Sequence, residues 1–172
     1  HVQLGRSVIS TSDVHKLDNV LILLSDHNDL ESRILKAKAL VYLATNKRDR
    51  GDVAGVDGAY QIYTKAANQI SFAEEPRLST QIMIYLAACL EMSGLNHLAF
   101  ERFADCRAAA NSAELEHLES MAQLRQATNL QKLGALESAE RHLNESLEAS
   151  ATFTDDEFEV VQGMKASGLY AA

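Results

Sequence analysis

The stretch KLGALESAERHLNESL, residues 132–147, places a small residue, Ala139, five positions after Gly134, and a larger one, Leu143, four positions later. Glycine adopts positive φ at little cost, so Gly134 can end one helix and start a tight turn. A small side chain at Ala139 lets two antiparallel helices approach closely, and Leu143, one turn on, fills the space beside the crossing. The stretch therefore predicts a helical hairpin.

The same pattern recurs along the chain at a fixed interval of about 40 residues, which isolated helices would not produce. The interval predicts a chain built from equivalent hairpins. Residues at matching positions are Ala59, Ala99 and Ala139; Tyr63, Phe103 and Leu143; Ala66, Cys106 and Ser146; Gly94 and Gly134; Ala87, Ala127 and Ser167; and Leu90, Leu130 and Tyr170.

Composition favours an all-helical chain. Apolar residues make up 47% of the sequence, with no Trp, one Pro and eight Gly, too few turn formers for a sandwich of β-sheets. Apolar runs such as VLILL at 20–24 are far short of the roughly 20 residues that cross a bilayer, so we expect no membrane helix. The chain begins with His1 and shows no charged and apolar leader, so we interpret it as a segment of a longer protein.

The order of small residue, large residue, Gly, Ala and bulky residue resembles the tetratricopeptide repeat. The resemblance covers about residues 31–171, with its best copies at 83–106 and 123–146. The interval is longer than the period of roughly 34 residues that is common in that family. Trp is also absent from the first helix, and no Pro closes either copy. The longer period is similar to that of the helix pairs in sensor domains of MalT-like transcriptional activators.

The resemblance implies an all-α fold, a right-handed superhelix of antiparallel helix pairs (an α-solenoid) forming a single domain over residues 1–172. We expect the polar stretch NKRDRGDVAGVD at 46–57 to be a loop that interrupts the register of the repeat. The expected parts are a partial N-terminal repeat at 1–28, helix pairs at 30–72, 76–111 and 113–150, and a terminal helix at 154–172. Residues expected to begin or cap helices are Ser12, Pro76, Asn96, Asn111 and Thr154 with Glu157.

The net charge of -8 lies wholly in the second half of the chain. Residues 1–86 hold ten basic and ten acidic residues, whereas residues 87–172 hold six and fourteen. An acidic half repels phosphate backbones, so we expect no nucleic-acid binding. Cys89 and Cys106 fall inside apolar helical patterns, which indicates buried free thiols and favours a reducing, cytoplasmic location.

Motifs that suggest chemistry are incomplete. Glu114 and His117 have the Glu-x-x-His spacing of di-iron bundles, but such a site needs a second copy that the sequence lacks. The acidic stretch around His27 lacks the central Gly and the alternating oxygen ligands of a calcium loop. We expect no catalytic residues, no metal and no cofactor.

The remaining candidate is a surface. In tetratricopeptide repeats the first helix of each pair lines a concave groove, and apolar residues among polar ones there suit an extended peptide or an amphipathic helix. First helices that merely pack against their neighbours would show the same mixture, and both interpretations stay open. The resemblance places eight residues in the groove: Gln81, Ile84, Ala88, Glu91, Met121, Leu124, Thr128 and Gln131.

The sequence therefore predicts a protein–protein interaction or scaffold module, without enzymatic activity, that binds a peptide or a neighbouring domain. The alternative is a ligand-sensing regulatory domain of a MalT-like transcriptional activator. A homodimer through the terminal helix at 154–172 is a further expectation, because an apolar end face commonly pairs with another copy.

Overall fold

The structure is a computed structural model that describes the backbone of residues 11–149 and the side chains of residues 15–146. Within this part the chain is all-helical, which confirms the all-α part of the predicted fold class. The predicted terminal helix at 154–172, with its capping box, lies outside the described residues. The helices are α1 (Thr11–Leu23), α2 (Leu30–Asp49), α3 (Ala59–Ala67), α4 (Pro76–Met92), α5 (Asn96–Ser112), α6 (Glu116–Lys132) and α7 (Leu136–Ala149).

The described chain divides into two compact units, with the boundary between Ser71 and Phe72. In the first unit α2 packs against α1 and α3. In the second unit α5 packs between α4 and α6, and α6 packs against α7. The three predicted helix pairs thus correspond to α2 with α3, α4 with α5, and α6 with α7.

The repeat is explicit in the second unit. Helix α6 begins and ends 40 residues after α4, and α7 begins 40 residues after α5, as the repeat interval predicts. Ala99 and Ala139, each the fourth residue of its helix, are 0% and 4% exposed, and Ala59 at the start of α3 is 0% exposed. Phe103 and Tyr63, one turn beyond their alanines, are also fully buried. The three alanines, Tyr63 and Phe103 therefore face the interior of the hairpins, whereas Leu143, the third predicted large residue, is only partly buried.

A Schellman turn ends the first helix of each pair. After α4, the N–H of Gly94 donates to the carbonyl of Glu91, and the N–H of Leu95 donates to the carbonyl of Leu90. The same two bonds recur at the equivalent positions around Gly134. The two glycines have φ of 78° and 80°, in the left-handed region where residues with a side chain are strained. Glycine at these positions therefore sets where each hairpin turns.

The turn between α5 and α6 has the same geometry without a glycine. Glu114 has φ of 56°, its N–H donates to the carbonyl of Asn111 at 3.1 Å, and the N–H of Leu115 donates to the carbonyl of Ala110 at 2.9 Å. A non-glycine residue in this region stores backbone strain.

The register of the repeat is interrupted between α2 and α3, as the polar stretch at 46–57 predicts. Gly51, φ 82°, ends α2 in a third Schellman turn and stands eight positions before Ala59, whereas Gly94 stands five before Ala99. Three inserted positions therefore shift α2, so that Gly51 aligns with Gly94 and α2 aligns with α4 at an offset of 43 instead of 40. The predicted loop at 46–57 is correspondingly shorter, because α2 continues to Asp49.

The alignment shows where the two helices of each hairpin cross. In the last pair, the Ser120 and Ser146 hydroxyl oxygens share a hydrogen bond at 2.8 Å, and both residues are 1% exposed. The equivalent residues of the preceding pair are Thr80 and Cys106, 0% and 1% exposed. Small or short side chains at these positions permit close helix approach. In the first pair the equivalent residues are Ala37 and Ala66, both 0% exposed.

The predicted helix starts are right in part. Pro76 begins α4 as predicted, since its missing N–H is one that the first turn leaves unbonded in any case. Asn96 is the first residue of α5 and not its cap; the cap is Leu95, which makes no side-chain bond. Asn111 lies near the end of α5, and Ser12 lies within α1. The Schellman turns leave too few residues between helices for a conventional cap at these asparagines.

A side-chain cap does begin α2. Asp29 accepts hydrogen bonds from the Ser32 N–H at 2.9 Å and the Ser32 hydroxyl at 2.7 Å, and these bonds hold the Asp29 pKa below its usual value. From the next turn Lys36, 9% exposed, donates to the carbonyls of Ser25 and His27 after α1. The acidic stretch around His27 is thus a helix-capping turn, as its missing calcium ligands indicate.

Candidate functional site

The eight predicted groove residues lie on α4 and α6, the first helices of their pairs. Half of them are not surface groups: Ile84 is 2% exposed, Ala88 6%, Glu91 7% and Leu124 3%. The others, partly buried, are Gln81, Met121, Thr128 and Gln131.

The two buried apolar groove residues on α4 belong to the core of the second unit. Ile84 and Ala88 share one cluster with Phe103 and Cys106 of α5, and Met121 packs at the margin of that cluster. Burying a side chain as large as Ile84 contributes about 1.5–3 kcal/mol to folding. These residues therefore stabilise the hairpin stack and offer little surface to a partner.

Glu91 joins the two repeats. Its carboxylate accepts from Lys132 Nζ at 2.7 Å and lies 3.4 Å from Arg125 Nη1, both on α6, while only 5% of the Glu91 side chain is exposed. Because the Glu91 carboxylate is buried, it would be left uncompensated without these two cations, so the contact holds α4 beside α6. The groove position of Glu91 is filled by this intramolecular pairing.

The partly exposed residues have local partners. The Gln81 amide donates to the Tyr85 hydroxyl at 2.8 Å, one turn along α4. The Thr128 hydroxyl donates to the carbonyl of Leu124 at 3.1 Å, as threonines in helices often do. The main-chain carbonyl of Gln131, near the end of α6, accepts from the Gly134 N–H in the Schellman turn. Three partly exposed polar side chains therefore remain on the first helices, Gln81 on α4 and Thr128 and Gln131 on α6, and we call them the polar row.

Sequence reasoning missed a polar cluster where α5, α6 and α7 meet. Arg107 lies 3.4 Å from Glu119 and 4.0 Å from Glu145, and the Gln123 amide donates to Glu145 at 2.6 Å. The helical repeat alone gives no signal for these pairs, because each joins residues on different helices that are far apart in the sequence. The cluster ties three successive helices together, and its ions are partly exposed, so each pair contributes little individually.

His142 sits at the edge of this cluster. Its ring meets the ring of Phe100 edge-on, with the centroids 6.4 Å apart. Burial lowers the His142 pKa, with further lowering by Arg107 and Arg141, while Glu145 acts in the opposite direction. The imidazole is therefore favoured in its neutral form, packed as an apolar ring.

Four buried polar oxygens in the second unit have no hydrogen-bond partner: Thr80 Oγ1, Asn96 Oδ1, Gln126 Oε1 and Asn129 Oδ1. The amide nitrogens of two of them are bonded, since Gln126 donates to the Phe100 carbonyl at 3.5 Å and Asn129 to the Arg125 carbonyl at 2.9 Å. Each unpartnered oxygen costs about 1–3 kcal/mol unless water reaches it.

The groups considered for chemistry are separated or buried. Glu114 lies in the turn before α6 and His117 within α6, so the two do not share a helix face. Cys89 and Cys106 are buried and form no disulfide, and burial raises the Cys106 pKa to about 12, which leaves its thiol protonated and unreactive. Among the side chains described, no three His, Cys, Asp or Glu residues gather as a metal site.

Comparisons of the chain with protein families, with curated proteins and with solved structures find no match. Across the described residues, no helix has both the length and the apolar character needed to cross a bilayer.

Proposed function

We propose that this chain is a protein-interaction module, in which stacked helical hairpins hold side chains of α4 and α6 in a fixed row for a peptide segment or a neighbouring domain. One observation carries the proposal: α4 with α5 and α6 with α7 repeat the same helix spacing, the same glycine turn and the same buried alanines. Stacked repeats of this kind build extended surfaces. We extend the hairpins to a right-handed superhelix, in keeping with the resemblance to tetratricopeptide repeats.

Fewer residues are available to a partner than the eight positions predicted for the groove. With Ile84 and Leu124 buried, the groups left for a partner are the polar row, Gln81, Thr128 and Gln131, and the thioether of Met121. Amides and a hydroxyl suit hydrogen bonds to the main chain of an extended peptide, and Met adapts to varied apolar contacts. We also propose a reducing, cytoplasmic setting, supported by two buried cysteines that form no disulfide.

Photo-cross-linking in the native host tests the proposal. A photoreactive amino acid replaces Thr128 on the polar row, and the matched control replaces Ala104, which is exposed on α5. We expect Thr128 to give a discrete product that Ala104 does not give. The cross-linked protein, once identified and purified, should bind the full chain saturably at one to one, with affinity reduced at least about tenfold by Gln131→Lys. Identical products from both positions, or no saturable binding, would contradict the proposal.

A further inference from the structure

The second unit exposes apolar side chains where α4 turns into α5. Met92 at the end of α4 is 53% exposed, Leu95 in the turn 51%, and Leu98 in the first turn of α5 38%. Leu136, the first residue of α7, is 62% exposed. We call these four residues the turn-edge patch.

Two contacts place the four residues at one edge. The ion pair between Glu91 and Lys132 joins the ends of α4 and α6, one residue before Met92 and four before Leu136. The contact of Phe100 with His142 joins the first half of α5 to the first half of α7. Met92, Leu95, Leu98 and Leu136 therefore emerge on the same side of the hairpin stack.

The fold does not require this apolar surface. Met92 and Leu98 stand where the next hairpin has Lys132 and Ser138, and that hairpin forms the same turn around Gly134. The same turn therefore forms with polar residues at these two positions. Contiguous apolar residues that a fold does not need are typical of binding surfaces.

The charge around the turn-edge patch is negative. Glu101 on α5 and Glu137 and Glu140 on α7 are exposed in the same halves of their helices. Arg141 offsets one of these carboxylates, Arg102 on α5 is paired with Asp105 at 3.2 Å, and Glu91 is paired with both Lys132 and Arg125. A partner for this edge must therefore supply apolar side chains together with positive charge.

We propose that the turn-edge patch docks a basic amphipathic helix of a protein partner, whose apolar face covers Met92, Leu95, Leu98 and Leu136 while flanking Lys or Arg residues face the carboxylates. The inference rests on the proposed function and names a second surface of the same module. A second copy bringing the same edge would set like charges against each other, and nucleic acid or an anionic membrane would be repelled likewise.

Designed peptides test the inference on the full chain. The probe is a peptide of about 18 residues, five helical turns, with Leu on one face and Lys flanking it. One control replaces every Lys by Glu, and another has the same composition with the leucines scattered around the helix. Fluorescence anisotropy gives the affinities at low and at physiological salt. We expect the basic amphipathic peptide to bind at least about tenfold more tightly than either control, with an affinity that falls as salt rises.

Paired variants locate the binding. Met92→Ser with Leu136→Ser should weaken binding about tenfold or more, because apolar contact area is lost. Glu137→Gln with Glu140→Gln should weaken it less and flatten the salt dependence. Ile22→Ser, which changes a residue 68% exposed in the first unit, should leave binding unchanged.

Equal binding of the acidic peptide, or affinity untouched by the Met92 and Leu136 changes, would overturn the turn-edge patch as a docking site. That result leaves the proposed function in place if cross-linking from Thr128 persists. Loss of the Thr128 cross-links with normal peptide docking would overturn the polar row and leave the patch standing.

Discussion

Replacing Glu114 with glycine should stabilise the protein. Glu114 occupies the residue of the Schellman turn after α5 that glycine occupies after α4 and α6, and it does so at φ of 56°. Left-handed backbone costs an L-residue about 1–2 kcal/mol. Glycine also lowers the free energy of unfolding by about 0.4–1 kcal/mol, because it makes the unfolded chain more flexible. The net expectation is a gain of roughly 1 kcal/mol in the free energy of unfolding.

Two controls separate backbone strain from charge. Glu114→Gln removes the carboxylate and keeps the strained backbone, so it should not reproduce the gain. Gly134→Ala should lose roughly 1 kcal/mol, since its φ is 80° and nothing lies within 4 Å of the added methyl group, which leaves the backbone as the cause.

Urea denaturation followed by helical circular dichroism measures these differences, with an unchanged m-value showing that stability alone has altered. For a chain of this size, a gain of about 1 kcal/mol corresponds to a rise of about 2–4 °C in Tm. Glu114→Gly no more stable than Glu114→Gln, or Gly134→Ala as stable as the wild type, would refute the reasoning.

Three further predictions follow from buried or capping side chains. Thr80→Val should stabilise the protein by about 1 kcal/mol, because it removes an unpartnered buried hydroxyl. Ser120→Ala, at the matched position, breaks a buried hydrogen bond and should destabilise the protein by a similar amount. If urea denaturation shows that both variants change the free energy of unfolding in the same direction, this prediction is wrong. Asp29→Ala should lower stability near pH 7, and the loss should shrink as pH falls below 3.8, because a carboxyl with a depressed pKa contributes its stability only while ionised; a loss independent of pH would be inconsistent with capping. Cys89 and Cys106 should react with a thiol reagent only after unfolding, and rapid labelling of the native protein would contradict their burial.

The repeat could be predicted because it depends on residue size at fixed spacing. Gly134 and Ala139, with their equivalents Gly94 and Ala99, turn or cross in the structure as their spacing indicates. The sequence also predicts that the loop at 46–57 interrupts the register. It does not predict that the interruption gives α2 an offset of 43, since Gly51 marks the end of α2 only once its φ is known.

The predicted groove shows a different limit. A resemblance to a known repeat indicates which face of α4 a residue occupies. It does not indicate which other helices pack against that face. Ile84 is covered by α5, and Glu91 is engaged by α6, both through contacts with other helices. Likewise, Asn111 has good capping chemistry, but α5 runs past it because Glu114 accepts the left-handed conformation and delays the turn.

The equivalence of the hairpins is the claim from which the proposed function follows, and one cross-link tests it most directly. If Thr80 faces Cys106 as Ser120 faces Ser146, then Thr80→Cys in a Cys89→Ala background should form an intramolecular disulfide with Cys106 on oxidative refolding, detected as a mobility shift and by mass spectrometry. The pair Ser120→Cys with Ser146→Cys is the positive control. A link in the control pair without one between positions 80 and 106 would contradict the account.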